Sequence, residues 1–318
     1  MKSLNTYIIQ ILEKYGTFNN IDDVLDDIAQ KSYDSILDQF NLDDDEFIKK
    51  PVQFFHNKKL TIEFDGSDKT FYNKCTIYIN QFGFYDWDAA YDDDSVFENG
   101  KFHIKLAMGM YIIYGIILSR LKRFKNIPLP NTFDRNCLIT SESIISHELM
   151  HAYEDYCKRK KEGRLLINNW YIASQKLRYK FMENEEVNNF LSSIYILEPT
   201  ECRANIQALG SLIKSNIDNI DTNYRNIDDI LNKLSEQGHL SHINIEFFIN
   251  EIKPFINDLS KNSKKQEEIF KILDNELFGN SWWSKRNFVK KVKELKHASD
   301  HYYDKIKSTT SKIFNDMK

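Results

Sequence analysis

Two imidazoles and a carboxylate fall within five residues at His147-Glu148-Leu149-Met150-His151. On a helix, at about 100° per residue, histidines four apart lie only about 40° from one another, so both rings can reach a single cation. Glu148 sits one step from the first histidine on the same side. A carboxylate there can hold a metal-bound water and take its proton. Ile144, Ile145, Leu149, Ala152 and Tyr156 form an apolar stripe about a quarter turn away, so the helix is expected to pack on a core and turn the histidines toward a cleft. Asp155 follows His151 by four and shares the ligand side, where it can accept an imidazole N–H and fix the tautomer.

The ten residues His-Glu-Leu-Met-His-Ala-Tyr-Glu-Asp-Tyr, from His147 to Tyr156, resemble the zinc helix of the zincin metallopeptidases. They are most similar to the thermolysin-like, or gluzincin, branch. A metzincin would place glycine at position 154 and histidine at position 157, where this chain has Glu154 and Cys157. The resemblance covers residues 140–210. It implies an α+β, zincin-like fold with a small mixed sheet packed on the active-site helix, and a zinc-dependent peptidase activity on a peptide or protein substrate. It also implies a third zinc ligand from a glutamate on a following helix, leaving one coordination position for water. Glu201 is the first choice, because Ala204 and Ala208 share its stripe and would let the two helices approach closely. Glu198 stays open as the alternative, since Pro199 at a first helical position would make Glu198 the cap. Asn205 stands where thermolysin-like helices carry an aspartate that orients a zinc histidine. The expected set is therefore His147, His151 and Glu201 on Zn²⁺, Glu148 as general base, and Asp155 and Asn205 behind the ligands. Tyr195, His239 and His242 are candidates for an oxyanion donor. A short Glu-x-x-Ala pattern at Glu201 also resembles small zincins.

The elements that must position these groups are only partly legible. Residues 4–50 read as short amphipathic helices, with Asp22, Asp23, Asp26 and Asp27 on an outer face. Strand signals run from Lys59 to Phe64 and from Lys74 to Asn80 around Asp65-Gly66-Ser67-Asp68, a hairpin with a longer loop. Asp86 to Gly100 reads as an acidic loop. Lys101 to Leu106 alternates as a half-buried strand and could receive an extended peptide at its edge. Gly109 to Phe124 fits a buried strand or a buried helix equally, and 128–136 reads as loop. A helix is expected from Ser141 to Lys161, stopping before Gly163, with helices near 168–182, 186–197, 199–215, 223–236, 243–261, 264–276 and 284–315 after it. The expected organisation is an acidic helical segment over 1–50, a zincin-like domain over 51–215, and a helical C-terminal region over 216–318.

Composition narrows the function class. An apolar content of 42% with 28% charged residues argues against wholesale disorder, and 10 glycines and 5 prolines in 318 residues favour helices over a turn-rich sandwich. Four cysteines without C-x-x-C spacing read as reduced thiols, not a disulfide framework. No run approaches the roughly 20 apolar residues of a membrane span, and no secretion signal is read, so a cytoplasmic location is expected. Residues 1–50 hold 5 basic and 11 acidic side chains, whereas 281–318 hold 10 basic and 4 acidic. The net charge of −4 is too acidic to argue for nucleic-acid binding. The acidic head and basic tail suit a protein partner, with Trp282-Trp283 at a docking surface or a helix-bundle seam, and removing 284–318 is expected to leave the metal bound. The second function expected is a structural or regulatory assembly protein that keeps a zincin fold, for example in a phage virion.

Overall fold

The computed structural model describes residues 21–49, 59–66, 72–81, 87–124, 128, 133–162, 169–215, 227–236, 240 and 243–316. The helices expected before residue 21, and His239 and His242, lie outside the described residues. The protein is a mixed α+β chain that forms two compact units, Met1–Asp134 and Arg135–Lys318. The division lies inside the segment 51–215. Among the described residues no helix is long and apolar enough to cross a membrane.

The first unit holds a sheet. Helices α1 (Ile21–Phe40) and α2 (Asp44–Lys49) precede strands β1 (Thr61–Asp65), β2 (Cys75–Gln81), β3 (Ala89–Glu98) and β4 (Lys101–Met108), and α3 (Met110–Arg120) follows. The described strands are ordered β1-β2-β4-β3, with β2 parallel to β4 and the other two pairs antiparallel. Strand β4 buries every second residue, with Phe102, Ile104 and Leu106 inside, as its alternation predicts. Gly66 closes the end of β1 because a Cβ there would lie 2.0 Å from the Tyr72 carbonyl oxygen. Helix α3 resolves the 109–124 ambiguity. Met110 to Leu118 are all buried, so no amphipathic period could show. The aspartates of α1 face outward as expected, and Asp22 and Asp26 pair with Arg120 at 2.6 and 3.7 Å.

Two expectations are corrected. Residues 89–98 form a strand, not a loop, and because this strand and β2 flank β4, β4 has no free edge to receive a peptide. As an edge strand with Val96 and Phe97 exposed, β3 has no alternating apolar face to read, and its register shifts between Asp92 and Val96 break the period further. The overlooked signal is Asn99-Gly100. Both residues have positive φ, 50° and 81°, and form the two-residue turn that pairs Glu98 with Lys101.

The second unit is helical: α4 (Arg135–Glu162), α5 (Asn169–Arg178), α6 (Glu185–Ile196), α7 (Pro199–Ser215) and α8 (Ile227–Glu236) are followed by α9 (Ile245–Phe247), a π-helical turn (Phe248–Ile252), α10 (Lys253–Leu259), α11 (Ser263–Leu277) and α12 (Lys285–Asp316). The helix expected over 243–261 is thus interrupted by a π turn that keeps Phe248 and Ile252 in the core. Asn184 and Asn262 cap α6 and α11 by accepting from the backbone N–H three residues on. The core runs through α6, α7 and the later helices into α12, whose Phe288, Val292, Leu295, Tyr302 and Ile306 are buried. Trp283 stacks on Phe270, with Trp170 edge-on to it. The basic tail is therefore an integral wall of this core, the helix-bundle seam of the two roles expected for it.

Candidate metal centre

Helix α4 carries the histidine pair, and α7 packs along it more extensively than any other helix pair among the described residues. The predicted stripe is in place: Ile145, Leu149 and Ala152 are wholly buried, with Ile144 and Tyr156 nearly so. Small residues bring the helices together. Ala204 and Ala208 have no exposed surface, and the Ser146 hydroxyl lies 3.1 Å from that of Ser211. Ser141, Ser143 and Ser146 each satisfy a buried hydroxyl on a carbonyl three or four residues back, which lets a helix face carry serine without an orphan donor.

At this contact three ligand-type atoms converge. The Nε2 atoms of His147 and His151 are 3.1 Å apart, and Glu201 Oε2 lies 3.6 Å from the first and 3.7 Å from the second. A tetrahedral ion with bonds of about 2.0–2.1 Å separates its ligands by about 3.3 Å, so these edges match one face of a zinc tetrahedron closely. Of the two glutamates left open by the sequence, Glu201 joins the imidazoles, while Glu198 takes the helix-entry position, its carbonyl accepting from the Cys202 N–H. Glu148 Oε1 is 3.9 Å from His147 Nε2, beside the cluster and slightly open to solvent.

The electrostatics follow from burial against charge. Burial alone would raise the Glu201 carboxyl, but the two imidazoles outweigh it and hold the pKa down at about 2. Burial pushes His151 toward its neutral form, yet Glu201, Glu148 and Glu154 prevail and the net direction is up. A carboxylate this firmly ionised between two imidazoles is a ready cation ligand.

The structure supplies Tyr171 and the Arg203–Glu154 pair, which the sequence did not single out. The Tyr171 hydroxyl donates to Glu201 Oε1 at 3.3 Å, leaving Oε2 toward the histidines. Tyr195, an oxyanion candidate, stacks on Tyr171 with centroids 5.7 Å apart. Burial and then Glu201 push both phenols well above their usual range, so each stays a donor. Arg203 grips Glu154 with two parallel bonds, Nε to Oε1 and Nη2 to Oε2 at 2.9 Å, tying α7 to α4 one turn from the ligands.

The two residues expected behind the ligands fare differently. Asp155 is buried and accepts from Arg159 Nε at 2.6 Å. Asn205 is buried, but among the described residues neither of its amide atoms has a hydrogen-bond partner, so it does not orient an imidazole. It faces the Tyr302 hydroxyl, which also lacks a well-formed bond. Cys202, with its thiol pushed up by burial, donates weakly to the Ile196 carbonyl and packs.

No family model matches this chain, and no curated protein or solved structure matches it either.

Proposed function

We propose that this protein is a zinc-dependent hydrolase of zincin type that cleaves peptide bonds. The observation that carries the reading is the near-tetrahedral spacing of His147, His151 and Glu201 with Glu148 beside them. In this reading these three side chains hold Zn²⁺, which when bound supplies Lewis acidity and lowers the pKa of a coordinated water to about 7. Glu148 orients the attacking water, takes its proton and returns that proton to the leaving amine. Tyr171 fixes Glu201 by holding its outer oxygen, and the Arg203–Glu154 pair holds the two helices at the spacing the cluster needs. The four cysteines, none in C-x-x-C spacing, suit a reducing, cytoplasmic setting, where the reading is limited cleavage of a protein partner.

The test pairs metal analysis with Glu148→Gln. Glutamine keeps the shape and a hydrogen bond but cannot accept the proton. One zinc per chain should survive the substitution, while hydrolysis of a peptide library falls by about 100- to 10,000-fold. Zinc-free protein, or undiminished cleavage by the variant, defeats the proposal.

A further inference from the structure

The last residue of α5 brings a cation to the same neighbourhood. Arg178 is half-buried, its guanidinium carbon lying 4.9 Å from the ring centroid of Tyr195 and 5.4 Å from that of Tyr179. Tyr195 stacks on Tyr171 with planes 15° from parallel, and Tyr171 donates to Glu201. The charge of Arg178 is therefore held one aromatic ring away from the cluster residues' own hydrogen-bond shell. Tyr195 and Tyr171 thus stand between the Arg178 cation and Glu201.

Arg178 lies over aromatic rings where several other arginines hold a carboxylate. Arg120, Arg123, Arg159 and Arg203 each hold a carboxylate, at Asp22, Asp44, Asp155 and Glu154. Among the described residues no carboxylate pairs with Arg178. A guanidinium set over an aromatic ring interacts through its face, which leaves its in-plane N–H fork as a bidentate grip for a carboxylate. The ring also restricts the long side chain, so less freedom is lost when an anion docks.

We infer that Arg178 recognises a carboxylate on the substrate, so that the amide offered to His147, His151 and Glu201 belongs to an anionic peptide. This rests on reading the cluster as a hydrolytic metal site. The carboxylate is either the C-terminus of a peptide or an acidic side chain near the scissile bond. Tyr195 and Tyr171 form the wall between that anion and Glu201, keeping two like charges apart while both remain close to the reacting amide.

The probes are benzylsuccinate, with two carboxylates, and 3-phenylpropionate, with one, titrated calorimetrically into the zinc-loaded full chain. Wild-type protein should prefer the dicarboxylate by at least about tenfold. Arg178→Ala should bring that preference close to unity with zinc content unchanged, and Arg178→Lys, which keeps the charge but not the fork, should retain part of it. No preference in the wild type, or a preference that survives Arg178→Ala, overturns the inference while leaving the metal site standing. Absence of zinc, by contrast, takes down the underlying reading and this inference with it. Matched peptides then separate the sources by mass spectrometry of cleavage products. Loss of a free-acid over amide preference in Arg178→Ala identifies a C-terminus, and loss of a Glu over Gln preference identifies a side chain.

Discussion

The two units bury polar groups in different ways. Among the described residues of the first, only Ser32, Thr76 and Ser95 are buried polar side chains, and its interior is built from alternating strand residues and aromatic contacts such as Tyr33, Phe47 and Tyr114. In the second, helices α4 and α7 alone bury ten polar or charged side chains, and Glu142, Glu154, Asp155 and Glu201 are the buried carboxylates of the whole described chain. Ionised groups taken from water cost several kcal/mol each unless they are paired. A helix seam that accepts four of them sacrifices packing energy that leucines would have supplied, and the partners found for Glu154, Asp155 and Glu201 show where the cost is recovered. Asn205 and Tyr302 mark the contrast inside the seam, because there the polar atoms are left without well-formed bonds. The first unit reads as an ordinary scaffold, and the seam as a place where charge is held for use.

Five measurements test the difference between the units. The largest effect is expected from deleting residues 285–318. Phe288, Val292, Leu295, Tyr302 and Ile306 leave the core together, each worth about 1.5–3 kcal/mol, so cooperative folding of the second unit should be lost in circular dichroism melts. His147→Ala or His151→Ala should remove bound zinc, and Glu201→Ala most of it, whereas Glu198→Ala should keep it; the reverse result for the two glutamates in metal analysis would dismiss Glu201 as a ligand. Arg203→Met leaves the buried Glu154 carboxylate only the longer contact to Lys158 at 3.9 Å and should cost about 3 kcal/mol in urea denaturation, the low end of the scale for a broken buried pair. Tyr171→Phe removes one bond to Glu201 and should weaken zinc affinity by roughly 10- to 100-fold in chelator competition, with the fold retained. The smallest change belongs to the first unit. Asp22→Asn breaks a pair whose aspartate is mostly exposed, and should shift stability by less than about 1 kcal/mol. If Asp22→Asn matched Arg203→Met, the distinction drawn between the units would fall.

Much of the α+β organisation was readable from residue patterns, and the misses have physical causes. Strand β4 announced itself because one of its faces is buried and the other is not. Helix α3 gave no period because it is buried all round, and β3 gave none because it is an exposed edge with a bulge. Asn99-Gly100 would have identified β3, since a turn with two positive φ angles selects those residues. The basic tail stayed open between a docking surface and a helix-bundle seam because charge density on an outer face says nothing about the apolar face opposite, and in α12 that face is core.

At the candidate site, the four-residue spacing of His147 and His151 on a helix already determined that their imidazoles would meet, because the 3.6-residue turn is a local property of the backbone. The same locality set Ile145 and Leu149 on the buried side. What periodicity left undecided was the third partner. Glu198 and Glu201 are three residues apart, on nearly the same helix face, and only the axial placement of α7 against α4 decides which carboxylate lies level with the histidines. Arg203 with Glu154, Tyr171 with Glu201 and Arg178 with Tyr195 also join separate helices, at sequence separations of 49, 30 and 17 residues. Such contacts follow from how whole elements pack, and no repeat along one chain segment encodes them.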